Sequence, residues 1–493
     1  LCNNLKRCEI TDTLFMITTI KLTFIFISLS FSQFLYAQVN DTTLIQKIIS
    51  AAKTQEETSS ILRVLTDSIG GRITGTSQSK ETSAFLLKKL KEIGIDNAHL
   101  EDFELKTSWA HNSASGRIIN PTHQFMVVGS YGWCPGTKGE ITAKVVDLRF
   151  FKNKKIPERF EGIMGAAVIV EPIAFEDQPS QVTRILLANA LAKSGAAAML
   201  IPSDKPNRLL YISAFGFYPM APLPVISIAK EDALLLHRIL EYHPVTITLN
   251  INNSISNKAS KEFNVIGDIP GTDTVGTILI GAHFDSWDYG QGAQDNGSGV
   301  AAIMEVARIF KQLDIKPKHT IRFAFFSGEE QGLLGSHAYV IKHANELDKL
   351  KSVLIMDDGA QVPKGFMIHG RSDLDNILSR VFQALSPLEA TGISADASFD
   401  TDHAPFLAEG IPSFTLWVNE GDYDINHHSI TDTYDKVDAG LLATDTAVLA
   451  VAVYSLDQHL KAVNNRLFQD ERKALMKKNG LESVQKMLSR SWR

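Results

Sequence analysis

Apolar runs alternate with longer amphipathic stretches through the second half of the chain. The runs that we predict to be strands cover residues 277–282, 320–326, 353–356 and 413–418. The stretches that we predict to be helices cover residues 299–313, 332–343 and 374–385. Short buried strands alternating with helices are typical of an α/β fold, here with a mainly parallel or mixed sheet flanked by helices.

The first half of the chain contains two different sequence patterns. Residues 76–94 carry the spacing of one amphipathic helix, with Ser and Thr as N-caps and Gly94 as a C-cap. From about residue 113 to 255, β-type runs alternate with Gly and Pro turns around one predicted helix, 181–194. We interpret 113–255 as an inserted β-rich domain and the Asn- and Ser-rich stretch 252–260 as its return linker.

The N-terminal residues carry the pattern of a targeting segment. After Met16, the basic residue Lys21 precedes a short apolar run, and the small residue Ala37 stands before Gln38. This order is typical of a signal peptide, which we predict over residues 16–37. Because the apolar run is short for a spanning helix, we expect an exported protein with no stable membrane anchor after cleavage.

Length, charge and cysteine content restrict the classes of protein to which the chain can belong. The chain has 493 residues, enough for two or three domains, and a net charge of −6. A net negative charge argues against nucleic acid as a partner. Of Cys2, Cys8 and Cys134, only Cys134 follows the predicted signal peptide, so no internal disulfide is expected. Cys134 stands among turn residues without a nearby His, and we interpret it as structural.

Candidate metal ligands stand where the predicted strands end. His283 directly follows the first of these strands, and Glu329 and Glu330 follow the second. Asp357 follows the third, and Asp295 lies in a glycine-rich loop. Ligands of open α/β sheets collect outside the carboxyl ends of the strands. His nitrogens and carboxylate oxygens suit a pair of zinc ions, which can activate water and polarise a peptide carbonyl.

Each of these residues also has a structural interpretation. A lone His283 would more often be structural, and Glu329–Glu330 would suit the solvated first turn of a helix. Their occurrence together at successive strand ends favours the metal-site hypothesis. Asp358 competes with Asp357, and the strand register decides which side chain points inward. We favour Asp357 because it follows the apolar run more directly.

The motifs together resemble peptidase family M28, whose co-catalytic zinc peptidases include bacterial aminopeptidases and the plasma glutamate carboxypeptidase group of dipeptidases. The resemblance covers roughly residues 60–112 and 260–460. One motif alone would be weak, whereas five in this order are specific. They lie at residues 281–286, 295–299, 327–332, 356–357 and 428–433, and residues 71–76 resemble the segment before the first long helix.

The resemblance implies two zinc ions per chain and assigns their ligands. Asp295 would bridge both ions with its two carboxylate oxygens. His283 and Asp357 would complete one site, and Glu330 and His428 would complete the other.

The resemblance also assigns roles outside the ligand set. Glu329 would be the general base, which takes a proton from the metal-bridging water and passes it to the leaving amine. Asp285 would hold the ring of His283 through its carboxylate. The Asp295–Asn296 peptide bond is expected to be cis.

Three histidines near these motifs, His403, His427 and His428, are further candidates for the site. His428 begins the last motif and is preferred to His427 as the ligand. His427 stands where many members carry a Tyr that stabilises the oxyanion, which leaves the oxyanion donor open. His403 lies in an element, 402–406, that resembles one beside the site, and we give it a supporting role because no ligand spacing surrounds it.

The resemblance extends to the domain organisation. Residues 113–255 are similar to the protease-associated domain of several members, which would roof the cleft and restrict substrate length. Residues 40–112 and 256–460 then form the N-terminal and catalytic parts of the peptidase domain. The charged tail, 461–493, is predicted to be a solvated helix, with a partner-binding helix as the alternative.

The implied function is that of an exported zinc exopeptidase acting on N-terminal residues of peptides or on dipeptides. A non-catalytic binding or receptor protein on the same scaffold is one alternative, but none of the six key positions is lost. A glutaminyl-cyclase-like transferase is another, but it uses one zinc ion, whereas the five-ligand set is complete. Peptides are the expected partners. The side-chain preference, the metal used in vivo and the oligomeric state, including a homodimer, are left open.

Overall fold

The computed structural model describes residues 42–491 apart from 55, 96, 149–155, 172–177, 217–219, 274–275, 420 and 464–465. The predicted signal peptide, 16–37, lies outside these residues. The chain forms two compact units, Leu1–Ala51 and Ala52–Arg493. Of the first unit, residues 42–51 are described, and they are helical. All the strands and the candidate site lie in the second unit.

Sixteen described strands form two sheets. In chain order they are β1 (His99–Leu105), β2 (Ser108–Asn120), β3 (Gln124–Met126), β4 (Val128–Ser130), β5 (Ile141–Asp147), β6 (Ala167–Ile169), β7 (Ala198–Pro202), β8 (Val225–Ile228), β9 (Thr246–Ser256), β10 (Ser260–Ile269), β11 (Thr277–His283), β12 (Thr320–Phe326), β13 (Leu350–Ile355), β14 (Val362–Met367), β15 (Gly392–Ser394) and β16 (Ser413–Asn419).

The described helices are α1 (residues 42–52), α2 (Glu56–Arg63), α3 (Ser77–Ile93), α4 (Gln178–Lys193), α5 (Lys230–Leu240), α6 (Ser298–Gln312), α7 (Leu334–Lys342), α8 (Asp375–Val381), α9 (Ala404–Ala408), α10 (Tyr423–Asn426), α11 (Ala439–Val463), α12 (Gln469–Lys478) and α13 (Glu482–Ser491). Short 3-10 or π turns cover Val64–Ile69, Ala293–Gly297, Ala344–Glu346, Phe382–Leu388 and Tyr434–Lys436.

The first sheet has the strand order β1-β10-β12-β11-β13-β16-β14-β15. Its four central strands run parallel, and antiparallel strands extend it on both sides. This arrangement confirms the predicted α/β fold with a mixed sheet flanked by helices. The four predicted strands are all present, and the helix predicted at 374–385 is α8 continued by the 3-10 turn Phe382–Leu388.

The helix predicted at 76–94 shows how local sequence sets an element's ends. Thr76 is the N-cap, and its hydroxyl accepts the backbone N–H of Ser79 at 3.4 Å. Gly94 takes the left-handed conformation at φ 93° and ends the helix. Between them, Leu86 and Leu90 are buried on one face of α3.

The second sheet takes its eight strands from residues 108–256, in the order β3-β2-β9-β5-β6-β7-β8-β4. Both of its faces are buried, since separate apolar clusters cover each side with residues from α4 and α5. The prediction of a linker at 252–260 is wrong for most of these residues. Residues 252–256 continue β9, because their backbone pairs with β2 and the Asn253 amide donates to Ser130 Oγ and to the Cys134 carbonyl. Cys134 is buried and free, in agreement with a structural role.

Two adjacent strand pairs connect the sheets. β1 pairs with β10 as far as Leu105 opposite Ser260, and β2 pairs with β9 from Ser108 opposite Ser256. The chain therefore enters and leaves the second sheet at neighbouring points. Beside them pack Trp109, Trp133 and Trp287, with ring centroids 5.7–6.4 Å apart.

The C-terminal helices are more buried than their charge suggests. The stretch 461–493 is not one solvated helix: after the end of α11 it forms α12 and α13, whose Leu475, Met476 and Leu488 pack against Phe399 and Leu407. Helix α11 is the one described helix that is long and apolar enough to cross a membrane. Its apolar window is 78% buried inside the protein, as in a core helix.

Candidate metal centre

Parallel strands bring the candidate ligands to one edge of the first sheet. His283 ends β11, Glu330 follows β12, and Asp357 follows β13. The three strands are neighbours with the same direction, so their carboxyl ends meet. Asp357, rather than its neighbour Asp358, contacts His283, with 2.8 Å between Oδ1 and Nε2.

Asp295 reaches the same edge from the loop before α6. The backbone leaves helical geometry there (φ −118°, ψ 91°), and the Asp295–Asn296 peptide is cis, as expected from the resemblance. Asp432 fixes this loop, because its carboxylate accepts the backbone N–H groups of Ala293, Gln294 and Asp295 at 3.0, 2.6 and 3.2 Å. Asp432 belongs to the motif at 428–433, but its contact with this loop could not be predicted from the sequence.

The two oxygens of the Asp295 carboxylate face different histidines. Oδ1 lies 3.2 Å from His283 Nε2, and Oδ2 lies 3.2 Å from His428 Nε2. Asp357 contacts the first of these histidines, and Glu330 Oε2 lies 3.1 Å from the second. One carboxylate therefore lies between two groups that each hold one further carboxylate and one imidazole.

The neighbouring histidines differ in their contacts. His428 Nε2 contacts both Asp295 and Glu330. His427 Nε2 lies 3.6 Å from Asp295 Oδ2, and its ring stacks on Tyr423 with centroids 5.2 Å apart. His428 therefore makes the shorter contact with Asp295 and also contacts Glu330, while His427 brings a ring nitrogen near Asp295 as well.

Asp285 organises the ends of two strands. Its carboxylate accepts the backbone N–H groups of Glu329 at 3.2 Å and Glu330 at 3.3 Å, and the hydroxyl of Thr74 at 3.0 Å. His283 Nδ1 lies 3.0 Å from the main-chain carbonyl of Asp285 and 3.5 Å from its carboxylate. The carbonyl is the nearer acceptor, which differs from the expected carboxylate contact, because three other donors occupy the carboxylate.

His403 does not take part in either group. It is fully buried and stacks on His369, with ring centroids 3.7 Å apart. Its Nε2 lies 3.1 Å from the carbonyl of Ser398. These contacts fit the supporting role assigned to it.

Burial sets the charge states in the site. It raises the pKa of Glu330 to about 7 and that of Glu329 well above its usual range. Burial acts in the same direction on Asp295, but His283 and His428 hold the pKa of that carboxyl well below its usual range. The carboxyl groups at this sheet edge therefore outnumber the histidines, whose positive charges cannot neutralise all of the carboxylates.

The donor set fits divalent cations of the zinc type. Imidazole nitrogens and carboxylate oxygens are zinc ligands. Two groups bring ligand atoms within 4.8 Å of one another: His283, Asp295 and Asp357, and Asp295, His427 and His428. Within the described part of the chain, no Lys or Arg pairs with Asp295, Glu330 or Asp357. There, too, the buried atoms Glu330 Oε1 and His428 Nδ1 have no hydrogen-bond partner.

Arg72 is a fully buried cation beside the Asp295 loop. Burial lowers its pKa to about 10, while nearby carboxylates oppose the shift, so Arg72 is charged at neutral pH. Its guanidinium donates at 2.7–3.2 Å to the backbone carbonyls of Leu65, Gly70, Phe284, Gln291 and Gly292. Because these carbonyls belong to three separate segments, Arg72 joins the loop to the end of β11.

The substitution Arg72→Met is expected to lower the free energy of unfolding by about 3–5 kcal/mol, because it leaves buried carbonyls unpaired and removes a buried charge. Urea titration followed by circular dichroism measures this. The control is Arg117→Met, an exposed arginine whose loss should change stability by about 0.5 kcal/mol or less. Equal effects of the two substitutions would show that the Arg72 hydrogen bonds contribute nothing.

A segment that follows β7 covers the second histidine. The backbone N–H of Ile212 donates to the carbonyl of His428 at 2.9 Å, and the ring of Tyr211 lies 5.1 Å from the His428 ring. Trp287 Nε1 donates to Glu330 Oε2 at 2.6 Å. These contacts could not be predicted from the sequence, because an isolated aromatic residue is more often part of a core than of a site.

The chain is similar to several known proteins. The chain matches the model of peptidase family M28 over residues 264–453. It is 30% identical to the probable lipoprotein aminopeptidase LpqL of Mycobacterium tuberculosis over 438 residues, which cover 80% of this chain and 82% of that protein. It is 27% identical to carboxypeptidase Q of Xenopus laevis over 421 residues, 83% of this chain and 88% of that protein.

A solved structure shares the fold. The zinc aminopeptidase BSAP of Bacillus subtilis superimposes with a TM-score of 0.64 at 20% sequence identity. The match covers 85% of this chain and 98% of that one.

Proposed function

The chain belongs to peptidase family M28 and is therefore a metallo-exopeptidase, and we propose that it is exported and removes N-terminal residues from peptides or splits dipeptides. The observation that carries this proposal is the shared carboxylate of Asp295. Its Oδ1 faces His283 and its Oδ2 faces His428, each at 3.2 Å. Two carboxyl oxygens directed at two ligand groups are what a two-metal site requires.

In this proposal the chain holds two zinc ions. Asp295 would be shared, His283 and Asp357 would hold one ion, and Glu330 and His428 would hold the other. When bound, the ions would supply Lewis acidity, which makes water a better nucleophile and polarises a carbonyl.

Glu329 is the proposed general base. Its backbone is fixed by Asp285, and the next residue, Glu330, is a proposed ligand, so the side chain stands at the margin of the site. Glu329 accepts a proton from the attacking water and donates it to the leaving amine. Asp285 is a positioning residue, since it contacts His283 and the backbone rather than the substrate.

The inserted residues 113–255 are proposed to act as a roof of the protease-associated type. The contacts of Ile212 and Tyr211 with His428 support this, because they place the segment after β7 against one of the ligand groups. A roof at that position restricts the length of peptide that reaches the site, which favours cleavage near a chain end.

Digestion of a peptide library, read by mass spectrometry, tests the proposal. We expect stepwise loss of N-terminal residues or cleavage confined to dipeptides. Cleavage at internal bonds, or intact peptides after incubation with zinc, would contradict it. Formation of pyroglutamate from N-terminal Gln without hydrolysis would instead identify the transferase alternative.

A further inference from the structure

A chain of hydroxyl groups connects Asp285 to a second buried carboxyl group, Glu262. Thr74 Oγ1 donates to Asp285 Oδ2 at 3.0 Å and lies 3.2 Å from Ser327 Oγ. Ser327 Oγ lies 3.5 Å from Ser79 Oγ, which is 2.9 Å from Glu262 Oε2. We call these five residues the hydroxyl relay.

The hydroxyl relay is sealed from solvent. Each of its members is at most 1% exposed. They come from separate parts of the fold: Thr74 and Ser79 from the start of α3, Glu262 from β10, and Ser327 and Asp285 from beyond the ends of β12 and β11. Burying five polar side chains is costly unless they satisfy one another, so the interior of the peptidase is built around this network.

The protonation state of Glu262 decides whether the hydroxyl relay is continuous. Burial raises the pKa of Glu262 to about 7; of the charged groups that face it, Lys80 lowers this pKa and Asp285 raises it. When protonated, Glu262 donates to Ser79, and each hydroxyl then donates to the next as far as Asp285. When ionised, it accepts a hydrogen bond from the Ser79 hydroxyl. Ser327 can then donate to Ser79 or to Thr74 but not to both, so one contact of the relay has no donor unless Thr74 turns its hydroxyl from Asp285 to Ser327.

We propose that the hydroxyl relay positions Asp285, and that Glu262, the far end of the relay, is a positioning residue for the metal centre. Asp285 contacts the ring of His283 and accepts the backbone N–H groups of Glu329 and Glu330. A continuous relay presents a hydroxyl donor to the Asp285 carboxylate and holds it in the orientation that makes these contacts. The inference rests on the proposed function only for its activity readout.

The test compares Glu262→Gln, Glu262→Leu and Thr74→Val. The amide of Glu262→Gln donates to Ser79 at every pH and imitates protonated Glu262. At pH 6 we expect wild-type kcat/KM and zinc affinity for Glu262→Gln, and losses of about 10-fold in zinc affinity for Glu262→Leu and Thr74→Val. Above pH 7 the relay of the wild type is interrupted. We therefore expect the kcat/KM of Glu262→Gln, divided by that of the wild type, to rise from near 1 to several-fold.

Two readouts do not need catalysis. Zinc affinity is measured by equilibrium dialysis against a competing chelator, and the protonated carboxyl of Glu262 by the infrared difference between wild type and Glu262→Gln. Glu262→Leu and Thr74→Val should be less than additive in zinc affinity, because each interrupts the same relay. The matched control is Glu305→Gln, a buried glutamate paired with Arg308, whose effect should add to that of Thr74→Val.

Two results would overturn the inference. One is that Glu262→Leu and Thr74→Val have additive effects on zinc affinity. The other is that the kcat/KM of Glu262→Gln, divided by that of the wild type, stays constant between pH 6 and 8. Loss of folding in Glu262→Leu does not affect the comparison of Glu262→Gln with wild type. If no peptide is hydrolysed but the zinc affinities of Glu262→Leu and Thr74→Val are coupled, the proposed function fails and the relay stands.

Discussion

The substitution Glu329→Gln is expected to lower kcat by about 10²- to 10⁴-fold while both zinc ions are retained. The amide has the shape of the carboxylate but cannot accept a proton from water at neutral pH. The ligands themselves are unchanged, and the backbone at this position stays bound to Asp285. Steady-state kinetics on an aminoacyl anilide and metal analysis of the same sample measure the two quantities.

Glu346→Gln is the control for this substitution, because Glu346 is a glutamate on an exposed turn that follows α7. It should leave kcat unchanged. A Glu329→Gln variant with kcat within about threefold of wild type would exclude Glu329 as the general base, since general acid–base catalysis contributes at least about 10²-fold. Loss of zinc from the variant would instead mean that Glu329 is a ligand.

Removal of metal by dialysis against a chelator is expected to abolish hydrolysis, and added zinc is expected to restore it. Zinc binding should also stabilise the fold, by about 4 kcal/mol when free zinc is 1,000 times its Kd. Asp295→Asn should prevent both effects, because a neutral amide replaces the carboxylate shared between the two ligand groups. Activity, zinc content and thermal unfolding of the dialysed protein measure them.

Asp348→Asn is the control, because Asp348 is an exposed acid that pairs with Arg466, and this variant should respond to zinc like the wild type. Full activity after verified removal of metal would contradict the mechanism. Two retained zinc ions in Asp295→Asn would show that this carboxylate is not the bridge.

The positions of the proposed ligands at one edge of the sheet could be predicted because they follow from a short-range rule. An apolar strand followed at once by His283 or Asp357 places a side chain at the sheet edge, and the parallel order of the strands brings those edges together. The motif of the Asp295 loop is informative only together with the other motifs. The same reasoning placed helix α3 within a residue at each end, because its caps are local.

Other features depend on contacts between distant residues and left no local signal. Glu262 lies outside the elements predicted from the sequence, and nothing in its local sequence indicates that it faces Ser79, which is 183 residues away. The Asn- and Ser-rich end of β9 has the composition of a linker, but its backbone pairs with β2 and Asn253 binds Ser130, which lies far from it in the sequence. The C-terminal helices have the composition of solvated helices, but apolar residues such as Leu475 and Leu488 pack against partners from other segments.

The adjacent strand pairs that join the two sheets have a consequence for how the second sheet is attached. Leu105 and Ser260 face each other on one side of the junction, and Ser108 and Ser256 on the other. A short turn between β1 and β10 would therefore close the first sheet without the second. Removal of the second sheet would also expose Trp287, whose indole donates to Glu330. The second sheet is thus attached through a narrow junction, yet it covers a side chain that holds a residue of the candidate site.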